Sequence, residues 1–267
     1  MKKLLLTLSA MALFTGSASA ADLGAGHMYT KAAPMAAPAY SWTGFYIFGG
    51  AGGGLWDAKG NTTESLLGVS FATRDSQTGG NGWFGTVGAG YDWQFNSNWV
   101  AGVFADAQFG SIRGSLTNPL LDSEGSETLR DSWAAGARFG YLVAPNVLSY
   151  VNAGYTGSQW SGTSLTGVVP VLASLATTPS FSRDGWFIGG GVENSLDIFG
   201  VHIPGLFMKT EYRAAYYARA TLPETIVTTP VPVPGLSITN TFKPIVQTIS
   251  TSLVYRVNWG GPVVAKY

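Results

Sequence analysis

The chain has 267 residues, and its 15 basic and 15 acidic side chains cancel to a formal net charge of 0. No basic stripe is present to neutralise a phosphate backbone, which argues against a nucleic-acid partner. Cysteine is absent, which excludes disulfides and thiolate metal sites, and charged residues make up only 11% of a chain rich in Gly (36), Trp (9) and Tyr (12). The length suits one domain.

Residues 1–20 read as a secretory signal peptide. Lys2-Lys3 forms a positive n-region, Leu4 to Phe14 a short apolar core, and Ala18-Ser19-Ala20 an A-x-A cleavage site before Ala21. Cleavage near Ala20 removes Lys2 and Lys3, leaving 13 bases against 15 acids, or −2. Residues 21–41 carry the alanine- and proline-containing run Ala32-Ala33-Pro34-Met35-Ala36-Ala37-Pro38, read as a flexible periplasmic lead-in. Residues 42–267 are then the barrel domain argued below.

The strongest signal lies between Trp83 and Phe109. Trp83, Gly85, Val87, Ala89, Tyr91 and Trp93 alternate with Phe84, Thr86, Gly88, Gly90, Asp92 and Gln94. Asn96-Ser97-Asn98 breaks the pattern. It resumes with Trp99, Ala101, Val103, Ala105, Ala107 and Phe109 against Val100, Gly102, Phe104, Asp106, Gln108 and Gly110. Period 2 means strand. An apolar face ending in aromatics, opposite a small or polar face with acids, is the pattern of a membrane barrel wall. After residue 20 no apolar run approaches the length of a spanning helix, and only helices and closed barrels satisfy every backbone group in lipid.

Eight strand-like runs follow in order: 43–55, 82–94, 99–112, 129–143, 147–158, 185–196, 206–217 and 245–257. The gaps alternate. The long ones are 56–81, 113–128, 159–184 and 218–244; the short ones are 95–98, 144–146 and 197–205. This rhythm predicts an all-β fold: an eight-stranded antiparallel transmembrane β-barrel with four long outer loops, three short periplasmic turns and both termini in the periplasm.

Extending the alternation places the aromatics Trp83, Trp93, Trp99, Phe109, Trp133, Tyr141, Trp186 and Tyr216 outward near strand ends, as membrane-interface girdles. Inward it places four acids (Asp92, Asp106, Glu193, Glu211) and four bases (Arg138, Lys209, Arg213, Arg256). Side chains fill the space that eight strands enclose, and unpaired buried charges are very costly. The eight are therefore expected to pair with one another and plug the lumen.

Catalytic signals are weak. Gly80-Asn81-Gly82-Trp83-Phe84-Gly85 matches G-x-G-x-x-G, but it opens no helix. There is no P-loop, G-x-S-x-G or H-E-x-x-H. His27 and His202 fall on the periplasmic side, so no outer histidine is available to activate a nucleophile. Glu193 and Glu211 as a catalytic carboxylate pair are outweighed by salt bridges to the inward bases. No enzyme activity, cofactor or metal is expected. The apolar stretches Val168–Ala173 and Ile226-Val227, and the stiff Pro230-Val231-Pro232-Val233-Pro234, are partner surfaces, are packed on each other, or extend the strands beyond the membrane.

Ser41-Trp42-Thr43-Gly44-Phe45-Tyr46-Ile47 resembles the opening of the small porin-family outer-membrane barrels with an OmpA-like eight-stranded domain, its surface-antigen and hemin-binding members above all. The resemblance continues at Gly191-Val192-Glu193, at Lys209-Thr210-Glu211-Tyr212 and from Tyr255 to Tyr267. It covers strands and both ends of the mature chain, not the long loops. Phe104 departs from it, standing where such barrels often carry an inward acid. The resemblance implies the outer membrane of a Gram-negative cell, contact with its lipid, and a C-terminal aromatic, Tyr267, read by the barrel-assembly machinery. The function expected is structural, surface-antigenic or adhesive, with a host or cell-surface partner at the loops. Hemin or small-ligand capture by the outer loops, or a low-conductance pore, is the alternative.

Overall fold

The computed structural model describes residues 41–167, 174–201, 203–227 and 234–257. The expected signal peptide, all of the lead-in but Ser41, His27, His202, Val168–Ala173, Pro230–Val233 and residues 258–267 lie outside them.

The strands are β1 (Gly44–Leu66), β2 (Val69–Phe95), β3 (Trp99–Asn118), β4 (Ser123–Ala144), β5 (Val147–Trp160), β6 (Thr163–Gly167), β7 (Ser174–Thr178), β8 (Phe181–Ser195), β9 (Leu206–Tyr217), β10 (Ala220–Ile226) and β11 (Leu236–Val257). All pairings are antiparallel and belong to one sheet. Near the end that carries Gly44 and Val257, the terminal end of the described residues, the order runs β1-β2-β3-β4-β5-β8-β9-β11, and β11 closes on β1. That seam is unbroken from Phe45↔Val257 to Leu66↔Leu236. The result is a closed ring of eight strands with no free edge, the arrangement lipid requires.

Towards the other end three strands hand over to continuations. β6 takes the place of β5 against β4, β7 pairs with β6, and β10 joins β7 to β11. The ring there is β1-β2-β3-β4-β6-β7-β10-β11, again eight strands. Two-residue breaks at 161–162, 179–180 and 218–219 separate the lower and upper pieces. Each break reverses which residues face inward. Thr156, Ser158 and Trp160 are buried on β5, but Thr163 and Leu165 on β6. Between β8 and β9 the ladder stops at Gly185↔Tyr217 and resumes at Thr177↔Thr225. Across the interruption the Ala218 N–H donates to the Asp184 carbonyl at 2.9 Å.

The strands therefore run well past the lengths read from the sequence. The expected outer loops 56–81 and 113–128 are mostly strand, closing at Leu67-Gly68 and at residues 119–122. Stretches 159–184 and 218–244 contain β6, β7 and β10 and parts of β8 and β11. The alternation that marks a strand in lipid needs an apolar outer face. Beyond the lipid the outer face no longer has to be apolar: Asp57, Lys59 and Thr63 stand outside and Trp56, Ala58 and Thr62 inside, the reverse of the contrast that marks the lipid-facing stretches. At Leu67-Gly68 both φ angles are positive (52° and 82°), the backbone of a two-residue type I′ hairpin.

Glycine fits where the interior is tightest. A Cβ at Gly102 would overlap the Asp92 carboxylate, and one at Gly90 would overlap the Tyr46 ring and hydroxyl.

Ala153 on β5 is exposed on the outer face while its neighbour Asn152 is buried. Ala153→Arg is expected to destabilise the barrel by about 2–4 kcal/mol, as a base facing mid-membrane lipid does. Ala153→Leu, apolar at the same outward position, should cost much less. Urea titration of both variants in lipid vesicles checks this, and the opposite ranking would mean that β5 presents its other face to lipid.

Candidate functional site

The eight inward charges converge in two groups, each of two acids and two bases. In the lower group the Arg138 guanidinium donates through Nε to Asp92 Oδ1 (2.9 Å), through Nη2 to Asp92 Oδ2, and through Nη1 to Glu193 Oε2 (3.0 Å). Arg256 Nε donates to Glu193 Oε1 (2.7 Å), and Arg256 Nη2 lies 2.8 Å from Asp92 Oδ2. Acid and base alternate around this ring, and Asp92 and Glu193 are fully buried. Charges removed from water attract strongly, but only such multiple, well-aimed hydrogen bonds offset their desolvation.

In the upper group Arg213 forks onto Asp106, Nη1 to Oδ1 at 3.0 Å and Nη2 to Oδ2 at 2.7 Å, and Nη2 also donates to Glu211 Oε1 at 2.8 Å. Lys209 Nζ is 3.8 Å from Glu211 Oε2. Tyr150 Oη (2.8 Å) and Asn152 Nδ2 (2.9 Å) donate to the same carboxylate oxygen. Tyr150 also lies under Arg138, whose Cζ is 5.2 Å from the ring centre, so it bridges the two groups. Glu193 and Glu211 belong to different groups, each held by arginine.

Aromatic rings wall these charges. Arg138 lies 4.3 Å from the Tyr46 ring centre, Arg256 4.4 Å from Trp42, Lys209 3.4 Å from Phe48, and Arg213 4.6 Å from Phe187. A cation over a ring face is stabilised by the ring quadrupole. Phe104, the departure from the resemblance, packs edge-on to Phe187 at 6.0 Å and forms part of the apolar floor beneath Arg213.

Trp42 closes the terminal end of the lumen. It is fully buried, with Nε1 donating to the Pro145 carbonyl (3.2 Å), its N–H to Gln94 Oε1 (2.9 Å), and its carbonyl accepting from Arg256 Nη1 (3.2 Å). Periodicity does not mark it, because it precedes the first strand; only the Ser41–Ile47 resemblance points to it. Above the charges an apolar layer fills the barrel. Trp56 meets Trp160 edge-on at 5.3 Å, Trp160 stacks on Phe181 at 5.7 Å, and Phe181 meets Phe242 at 5.6 Å.

Sequence reasoning missed two acids higher still, Glu127 on β4 and Glu224 on β10, because their strands were read as loops. Glu224 accepts from Asn118 Nδ2 at 2.6 Å, and burial raises its pKa. Glu127 is 1% exposed, and burial pushes it up to about 8, the Thr128 backbone N–H only partly opposing this.

The eight predicted aromatics all lie on the outer wall. Trp93, Trp99 and Tyr141 stand near the terminal end; Trp83, Phe109, Trp133, Trp186 and Tyr216 form a second band. Trp186 stacks on Tyr216 at 4.5 Å, and Trp99 meets Tyr141 at 4.9 Å. The glycine run from Gly80 to Gly85 is part of β2, paired on both sides, and forms no phosphate loop.

Because the folded-state pKa of Glu127 is raised, its stabilising contribution is complete below the ordinary carboxylate range and is lost as pH rises through about 8. Wild type is expected to lose stability between about pH 4.5 and about pH 8 and to level off above that, and Glu127→Gln to lose much less. Denaturant titrations followed by tryptophan fluorescence across that range check it. Equal pH dependence in both proteins would assign the loss to other groups.

No family model matches the chain. The chain is 30% identical over 203 residues to the 31 kDa outer-membrane immunogenic protein of Brucella melitensis biotype 1, an alignment covering 74% of this chain and 82% of that protein. The protein of the same name from Brucella suis biovar 1 matches with the same figures. Among solved structures, the outer membrane protein OprG of Pseudomonas aeruginosa aligns with a TM-score of 0.48 at 10% identity, covering 80% of this chain and 97% of that one. The attachment invasion locus protein Ail of Yersinia pestis aligns at 0.31 and 12%, covering 76% and 99%. Both scores fall below 0.5, so the architecture rests on this chain's own strand pairing. With an uncleft eight-stranded wall, an apolar aromatic-banded exterior and a charged interior already in place, the sequence likeness settles the kinship: the chain belongs to the family of the Brucella 31 kDa outer-membrane immunogenic proteins, integral β-barrels of the outer membrane.

Proposed function

We propose that this protein is a closed structural barrel that displays surface antigen and adhesive hairpins, rather than a pore or an enzyme. The observation that carries the reading is the continuous filling of the lumen, from Trp42 through both charge groups to the layer of Trp56, Trp160, Phe181 and Phe242. Water and ions crossing such an interior would have to displace paired charges and packed rings. The two aromatic bands serve as membrane-interface girdles, with the terminal end in the periplasm and the Leu67-Gly68 and 119–122 hairpins outside. The strand extensions lift those hairpins clear of the lipid headgroups, where a host or cell-surface partner would meet them. Barrel-assembly machinery is the partner proposed for biogenesis. The relatives' description as immunogenic supports surface display.

Planar-bilayer recording is expected to show little or no current for the wild type. Glu193→Gln, which removes the charge that Arg138 and Arg256 share, should add small-unit openings. Large, long-lived openings in the wild type would favour a pore. Independently, an epitope inserted at Leu120 should label on intact cells, and one at Asn146 only after the outer membrane is permeabilised. Equal labelling of both in intact cells would invert or abolish the proposed orientation.

A further inference from the structure

Two features on one side of the outer wall fit two parts of a single ligand. The first is an apolar groove of about 450 Å³ on the outer face of β1, β2, β11 and β9. Its floor is Gly53 and Gly82, and Trp83, Leu55, Tyr212 and Ile249 wall it. It exists because Gly53, on the outer face, carries no side chain between Trp83 and Tyr212. At its upper rim Tyr212 Oη donates to Gln247 Oε1 at 2.7 Å.

The second feature lies further along the same strands. Lys59 sits four residues beyond Leu55, roughly 13 Å along β1. It is directly opposite Lys243 on β11. Arg219 precedes Ala220, which pairs with Phe242, so it stands beside Lys243. All three bases are exposed and border one concavity of about 610 Å³. None of the three makes an ion pair among the described residues. Like charges placed directly across two strands repel, so this arrangement costs stability unless an anion comes between them. Two acids border the row: Asp75, and Asp57, whose carboxylate accepts from Gln77 Nε2 at 3.2 Å. Three bases against two acids leave a net single positive charge, directed away from the wall.

We propose that this face holds a phosphate-bearing acylated glycolipid of the outer leaflet, of the lipid A class. One acyl chain lies in the Gly53–Gly82 groove, and a phosphate meets Lys59, Lys243 and Arg219. The groove alone would accept any acyl chain, and the bases alone any anion; their alignment on β1 and β11 selects a molecule that has both, with the phosphate outermost. The proposal rests on the outer wall being the lipid face, which the Ala153→Arg measurement tests separately, so failure of one is distinguishable from failure of the other.

The test is native mass spectrometry of the refolded full chain in a neutral detergent, titrated with bisphosphorylated lipid A, its dephosphorylated form, phosphatidylcholine or inorganic phosphate. Two variants are compared: Lys59→Gln/Lys243→Gln/Arg219→Gln, and Gly53→Leu. A Cβ at Gly53 meets only ordinary contacts at 3.8 Å, so the leucine fills the groove without disturbing the backbone. Heat-modifiable gel mobility verifies that each variant is folded. The expected result is retention of bisphosphorylated lipid A by the wild type, at least about tenfold weaker retention of the other two lipids, and a loss of similar size in each variant. Equal retention of phosphorylated and dephosphorylated lipid, unchanged retention in both folded variants, or displacement of the lipid by millimolar inorganic phosphate would each overturn the proposal.

Discussion

A charge inside a narrow barrel wrapped in lipid has no bulk water to turn to, and the rest of this structure follows from how that constraint is met. Asp92, Arg138, Glu193 and Arg256 neutralise one another in an alternating ring, and Asp106, Arg213, Glu211 and Lys209 do so above it. These side chains come from six of the strands, β2, β3, β4, β8, β9 and β11, so their mutual bonds tie the wall together across its interior. Removing one partner would strand the others without water, which makes the network a specifier of strand register as much as a plug. The rings around it let cations meet faces where no further acid is present.

The glycine content belongs to the same economy of space. Tyr46 and Asp92 occupy volume that a Cβ at Gly90 or Gly102 would take. On the outside, Gly53 has the opposite effect and leaves a recess in the wall. One residue type thus makes room for the network within and for a lipid chain without.

Beyond the membrane the barrel continues by a different rule. No lipid demands an apolar exterior there, and the interior changes from paired charges to packed rings and then to the isolated acids Glu127 and Glu224. The breaks at 161–162, 179–180 and 218–219 cluster on three neighbouring strands and interrupt the β8–β9 ladder. The upper ring is therefore the part of the wall with fewer continuous hydrogen bonds, and a raised acid within it makes its stability sensitive to pH.

The sequence by itself determined the lipid-facing barrel. From Trp83 to Phe109 lipid outside and charge inside impose opposite chemistries on alternate residues, so strand, face and register are all legible there. The eight inward charges and the eight outward aromatics were legible for the same reason. Only the tertiary structure decided what no period-2 contrast can encode. It set which acid meets which base, a choice made by register between strands as distant as Asp106 and Arg213. It extended the strands through segments whose outer face is polar and so lacks the apolar exterior that marks a strand in lipid, and joined them across breaks that reverse the alternation. It set Trp42 beneath Arg256 and brought Lys59, Lys243 and Arg219 side by side, placements of segments far apart in the chain that follow from β11 pairing with β1 on one side and with β10 on the other.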